Sequence, residues 1–87
     1  MAEALGAIEK IQQTIKAGQF KEALEMTNLA EEQSSSTPEL LYMKAVCHRY
    51  LEEHELALGV LGNLKALSPE NGRAYQEEGH VYRSLGE

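Results

Sequence analysis

Apolar residues recur three and four positions apart along most of the chain, and short polar or helix-breaking runs interrupt them at regular intervals. That spacing is the mark of helices that each bury one stripe. It predicts a first helix from about Glu3 to Ala17, stopped at Gly18, a residue suited to the left-handed conformation that closes helices. A second follows from Gln19 to about Gln33, with the stripe Phe20, Ala23, Leu24, Thr27 and Ala30. Ser34-Ser35-Ser36-Thr37 breaks the pattern. Thr37 is a good N-cap and Pro38 suits a first helical turn, so a third helix runs to about Tyr50 or Leu51. A fourth covers about Glu53 to Ala66. Ser68-Pro69-Glu70-Asn71-Gly72 is the next break, and a fifth helix covers about Arg73 to Leu85. No stretch alternates with the period of two that a strand requires. The expected fold class is all-α.

The pattern repeats. Displaced by the interval from Ala23 to Ala57, the chain matches itself without a gap. On that displacement Ala23 falls on Ala57, Leu24 on Leu58, Leu41 on Tyr75, Ala45 on Gly79, His48 on Tyr82 and Leu51 on Leu85. This predicts one domain of about two and a half units: repeat 1 at about 4–37, repeat 2 at about 38–71 and a half repeat at 72–87. A short helix with one apolar stripe cannot bury that stripe alone, but helix pairs stacked on one another can. The small residues Ala23, Ala45, Ala57 and Gly79 are expected at close helix crossings. The last helix lacks a mate, so the chain is expected to be part of a longer protein.

This period and its slots resemble the tetratricopeptide repeat. Tyr75, Gly79 and Tyr82 have the family's large, small and aromatic spacing, as does the set Leu41, Ala45 and His48. Gly18, Phe20 and Ala23 match the family's turn glycine, aromatic and alanine; Glu52, His54 and Ala57 match in part. Pro69 matches the closing proline, while Ser35 stands in that slot of the first unit. Leu5, Ile8, Ile11 and Ile15 sit off the family's core slots. The resemblance implies a right-handed helical solenoid of antiparallel helix pairs, with five helices here. It also implies a concave groove that binds a peptide or partner domain. The stretch "LLYMKAVCHRYLEEHELAL" and the closing "LSPENGRAYQEEGHVYRSLGE" resemble, more narrowly, the helical repeats that precede the catalytic domain of bacterial sulfotransferases. That implies a non-catalytic, regulatory or structural front end.

Charge narrows the partners. Of 87 residues, 14 are acidic and 8 are lysine or arginine, for a net charge of −6. Such a surface disfavours nucleic acid and anionic membranes as partners. No apolar run approaches the roughly 20 residues that span a bilayer. No basic segment followed by an apolar one opens the chain, so no secretory leader is expected. Cys47 is the only cysteine, which excludes an internal disulfide and fits a reducing cytoplasm.

Catalytic and metal readings find little support. Cys47 and His48 are adjacent, so they diverge by about 100° on a helix, and His48, His54 and His80 do not share a face. Cys47 sits mid-helix without a basic partner and reads as a packed thiol. Glu52, Glu53 and Glu55 read as a solvated turn. No phosphate-binding loop or nucleophile elbow occurs. No catalytic residue, cofactor or metal is therefore assigned, and the segment is not expected to be an enzyme by itself.

The groove remains. In the family register, the first helix of each unit faces it with Ile8, Gln12, Ile15 and Lys16; with Glu39, Tyr42, Val46, Arg49 and Tyr50; and with Arg73, Gln76, His80 and Arg83. The candidate partner-binding set is Lys16, Tyr42, Arg49, Tyr50, Arg73, Gln76, His80 and Arg83. In an acidic chain, this local excess of arginine and tyrosine suits an extended acidic peptide. The carboxylate clamp of some family members is not matched, because Ile8, Gln12, Met43 and Glu77 occupy its slots and only Arg73 fits. A further reading is self-association: an unpaired fifth helix is expected to expose Tyr75, Val81, Tyr82 and Leu85 and to favour a homodimer.

Overall fold

The structure of the chain is a computed structural model; it describes residues 2–86, with side chains from Gly6 onward. Five α-helices follow one another: α1 (Ala2–Lys16), α2 (Phe20–Gln33), α3 (Pro38–Tyr50), α4 (His54–Leu67) and α5 (Gly72–Ser84). Among the described residues there is no strand. The side chain of Leu5 lies outside the described set.

Two kinds of junction set these boundaries. α3 and α5 begin at side-chain caps. Thr37 Oγ1 accepts a hydrogen bond from the Leu40 amide at 3.2 Å, and Pro38 opens the helix. Asn71 Oδ1 accepts from the amides of Arg73 at 3.0 Å and Ala74 at 3.3 Å, which starts α5 one residue before the sequence pattern places it. α2 and α4 have no side-chain cap. Each begins two residues after a left-handed residue that closes the preceding helix. At Gly18 (φ +82°) the chain turns so that the Gln19 amide donates to Thr14 and the Gly18 amide donates to Ile15. The same pair of bonds recurs at Glu52 (φ 63°), from the Glu53 amide to His48 and from the Glu52 amide to Arg49. Glu52 therefore holds a conformation that glycine accepts freely and a Cβ resists. Among the described residues, positive φ occurs at Gly18, Glu52 and Gly86, evenly spaced by the interval at which the sequence matches itself.

Each helix packs on the next, and α3 also packs on α1 and α5. The beginning of α2 meets the end of α3, where Phe20 stacks on Tyr50, and the end of α2 meets the middle of α3 through Glu31 and Lys44. These two helices run in opposite directions. α3 and α5 run the same way: Arg73 at the start of α5 reaches Glu39 at the start of α3. The described residues extend over 40 × 28 × 18 Å.

Two apolar clusters share α3. Ile11, Ala23, Leu40, Met43 and Cys47 join α1, α2 and α3, with Ile8 and Ile15 packed against them. Leu41, Ala45, Ala57, Leu61, Leu64, Ala74 and Val81 join α3, α4 and α5. Seven residues of α3 are buried, so this helix is covered nearly all round. Thr27 fills a core position by donating its hydroxyl to the Ala23 carbonyl at 2.8 Å.

Two expectations change. Gly79 is not at a close crossing: a Cβ placed there would meet nothing within 4 Å. Val81 is fully buried rather than part of an exposed patch, because it shares the inward face of α5 with Ala74 and Glu77. Tyr75, Tyr82 and Leu85 remain about half exposed on the other side.

Ala57 has no exposed surface within the second cluster. Ala57→Leu is expected to destabilise by about 1–3 kcal/mol through overpacking. Thermal denaturation measures this, and an unchanged melting temperature would exclude a helix crossing at Ala57. Glu52→Gly should act in the opposite sense. Relief of left-handed strain, less the extra freedom of glycine in the unfolded chain, is expected to add about 0.5–1 kcal/mol. A drop in stability on that substitution would show that the carboxylate of Glu52 matters more than its backbone.

Candidate functional site

α1, α3 and α5 form a side-by-side row, and where they meet the surface is hollowed. A depression of about 280 Å³ is lined by Gln12, Ile15 and Lys16 of α1, by Tyr42, Met43 and Val46 of α3, and by Arg73 of α5. Met43 and Val46 are buried and Ile15 is half-buried, so they form its floor. Gln12, Lys16 and Arg73 are exposed and form its rim. The Arg73 guanidinium lies 4.1 Å from the centre of the Tyr42 ring and 3.6 Å from Glu39 Oε1. Tyr42 is thus held against the rim by a cation on its face. The result is an apolar seat beside two cations.

Three of the sequence-predicted residues, Lys16, Tyr42 and Arg73, come together here. Met43 was not in that set. The resemblance puts it in a slot of the carboxylate clamp, where an apolar side chain counts against that ligand. Arg49 and Tyr50 lie apart, in a second depression of about 430 Å³ with Glu52, His54 and Ser84. Gln76 is exposed on α5 and lines neither depression. Arg83 Nη2 donates to His80 Nδ1 at 2.6 Å, so these two engage each other on the last turns of α5. His48 is buried, with its Nδ1 2.8 Å from Glu53 Oε1.

Arg49 differs most from the expectation of a free groove cation. Its guanidinium Nε donates to Glu77 Oε2, and its Nη2 lies 3.4 Å from Glu77 Oε1. Glu77 is 2% exposed, so its carboxylate depends on this partner. Burial alone would lower the pKa of Arg49. The hydrogen bond and charge of Glu77, with a smaller contribution from Tyr50, outweigh burial and raise it above its ordinary value. The same guanidinium lies 4.5 Å from the centre of the Tyr50 ring, and Tyr50 in turn stacks on Phe20 with ring centres 4.5 Å apart. Arg49 and Tyr50 are therefore bound into the packing.

Sequence reasoning missed Glu77 as a buried group. The available signal was its register: one repeat earlier stands the core residue Met43, and one repeat before Arg49 stands Ile15. The ion pair stands at positions whose counterparts on that displacement, Ile15 and Met43, are apolar.

Cys47 has no exposed surface, and burial pushes its thiol up from 9.0 to about 11. The thiolate that would act as a nucleophile is disfavoured at neutral pH. Since the folded value lies above the unfolded one, the thiol's contribution to stability is present below pH 9 and fades as pH rises toward 11. Among the described residues, no helix is long and apolar enough to cross a membrane, and no three metal-binding side chains gather.

No family model matches the chain, and no curated protein or solved structure matches it.

Arg49→Ile leaves the Glu77 carboxylate buried without its partner. It is expected to cost about 2–4 kcal/mol, somewhat less than a fully enclosed pair because water reaches the arginine side. Adding Glu77→Met copies the Ile15 and Met43 arrangement of the preceding unit and should recover most of that loss. Chemical denaturation of the single and double variants decides this. Equal stabilities of the two would mean that the carboxylate is not held by Arg49.

Proposed function

We propose that the chain is a binding module of the tetratricopeptide kind, a right-handed solenoid of antiparallel helix pairs without catalysis of its own. Its ligand is an extended acidic peptide held along the row of α1, α3 and α5. One observation carries this reading: a hollow with an apolar floor of Ile15, Met43 and Val46 has Lys16 and Arg73 on its rim. An apolar side chain of the peptide sits on that floor. A neighbouring carboxylate is met by Lys16, which has no ion-pair partner among the described residues, and by Arg73. Tyr42 supplies a flat, half-buried face beside them. Arg49 takes no part, since Glu77 already occupies it.

The test uses a pool of short peptides that pair one leucine or isoleucine with aspartate or glutamate. Binding is measured by calorimetry to the chain and to the variant Lys16→Glu with Arg73→Gln. Loss of the two cations should weaken binding at least roughly tenfold, the scale of one charged hydrogen bond. The variant should keep its helical circular dichroism, because both positions are exposed. Unchanged affinity in the folded variant would remove the groove assignment. Failure of every acidic peptide to bind the native chain would remove the ligand class.

A further inference from the structure

Lys44 Nζ lies 2.9 Å from Glu31 Oε1 and joins α3 to α2. One repeat further along the chain, the same two positions are Glu78 and Lys65. They also pair, at 2.6 Å, and join α5 to α4. The contact is the same and the charges are exchanged. None of the four side chains exceeds 28% exposure, so water screens these pairs only in part.

The exchange adds to a difference in packing between the two seams. α2 offers Ala23, Thr27 and Ala30 where α4 offers Ala57, Leu61 and Leu64. Only the crossing alanine coincides; the other two positions differ in size, so packing and charge both bear on whether α3 or α5 is received. Charge discriminates as well. With α5 seated on α2, Glu78 would face Glu31. With α3 seated on α4, Lys44 would face Lys65. Like charges in such partly buried positions repel at short range.

The row of α1, α3 and α5 carries a third, independent sign of the same kind. Glu77 is buried against Arg49. Moved by one unit to the place of Met43, Glu77 would meet Ile15 where it needs an arginine. A buried carboxylate without a partner is strongly unfavourable.

We propose that the exchanged pairs Glu31–Lys44 and Lys65–Glu78 act as a register code: each seat accepts only its own helix, and arrangements slipped by one unit are rejected. The seat on α2 selects a helix with a cation at the position of Lys44. The seat on α4 selects one with an anion at the position of Glu78. The code acts within one chain and between copies, where a slipped contact is heterologous and open-ended.

The test makes the two seams identical in charge while leaving each pair intact. Glu31→Lys with Lys44→Glu gives both seams the polarity of Lys65 and Glu78. The chain is unfolded, then refolded at high concentration, and the species are counted by native mass spectrometry. Slipped oligomers should rise roughly fivefold or more over the wild-type level, the factor that about one kcal/mol of lost discrimination provides. Adding Lys65→Glu with Glu78→Lys makes the seams differ again and should return the distribution to that of wild type. If the first double variant does not fold, Lys65→Glu with Glu78→Lys alone gives the mirror experiment. A same-polarity variant with the wild-type distribution overturns the proposal, and so does a quadruple variant that stays oligomeric.

Discussion

Everything in this chain depends on α3 being covered on both sides. Leu40, Met43 and Cys47 close the cluster with α1 and α2, while Leu41 and Ala45 close the one with α4 and α5. Among the described residues, no other helix belongs to both. A chain of 87 residues buries only a modest share of its surface on folding. It gives its middle helix two apolar faces and its outer helices one. The helix contacts join α3 to each of the other four helices and pair α1 with α2 and α4 with α5.

On that apolar frame, ion pairs between separate helices join the seams. Where the first seam of the row has Ile15 and Met43, the second has Arg49 and Glu77. An apolar pair of similar size would stabilise at least as well, since desolvating two charges offsets much of their attraction. What the ion pair adds is intolerance of a wrong neighbour. It also occupies Arg49, so the candidate groove is narrower in its chemistry than a count of arginines implies. Lys16 and Arg73 remain beside an apolar floor.

The local parts of this structure were legible in advance. Thr37 with Pro38, the stop at Gly18, and the stripe through Ala23 and Thr27 each act within a few residues, and all five helices begin and end within two residues of their expected positions. The groove was legible in part. Helical register placed Lys16, Tyr42 and Arg73 toward a common face. It left Arg49 on that face as well, because its partner lies 28 residues away on another helix. Gly79 misled for a related reason. Its likeness to Ala45 is a likeness of slot, and whether a slot is covered depends on what lies opposite.

By itself, the sequence determined the helices, their breaks and the interval at which they repeat, because capping, left-handed turns and apolar spacing are short-range effects. Only the tertiary structure decided which charges meet. Glu31 and Lys44, Lys65 and Glu78, and Arg49 and Glu77 are each brought together by the packing of separate helices. Whether a side chain is a free cation or half of a buried pair depends on side-to-side distance and exclusion of water, and neither is a property of position along the chain.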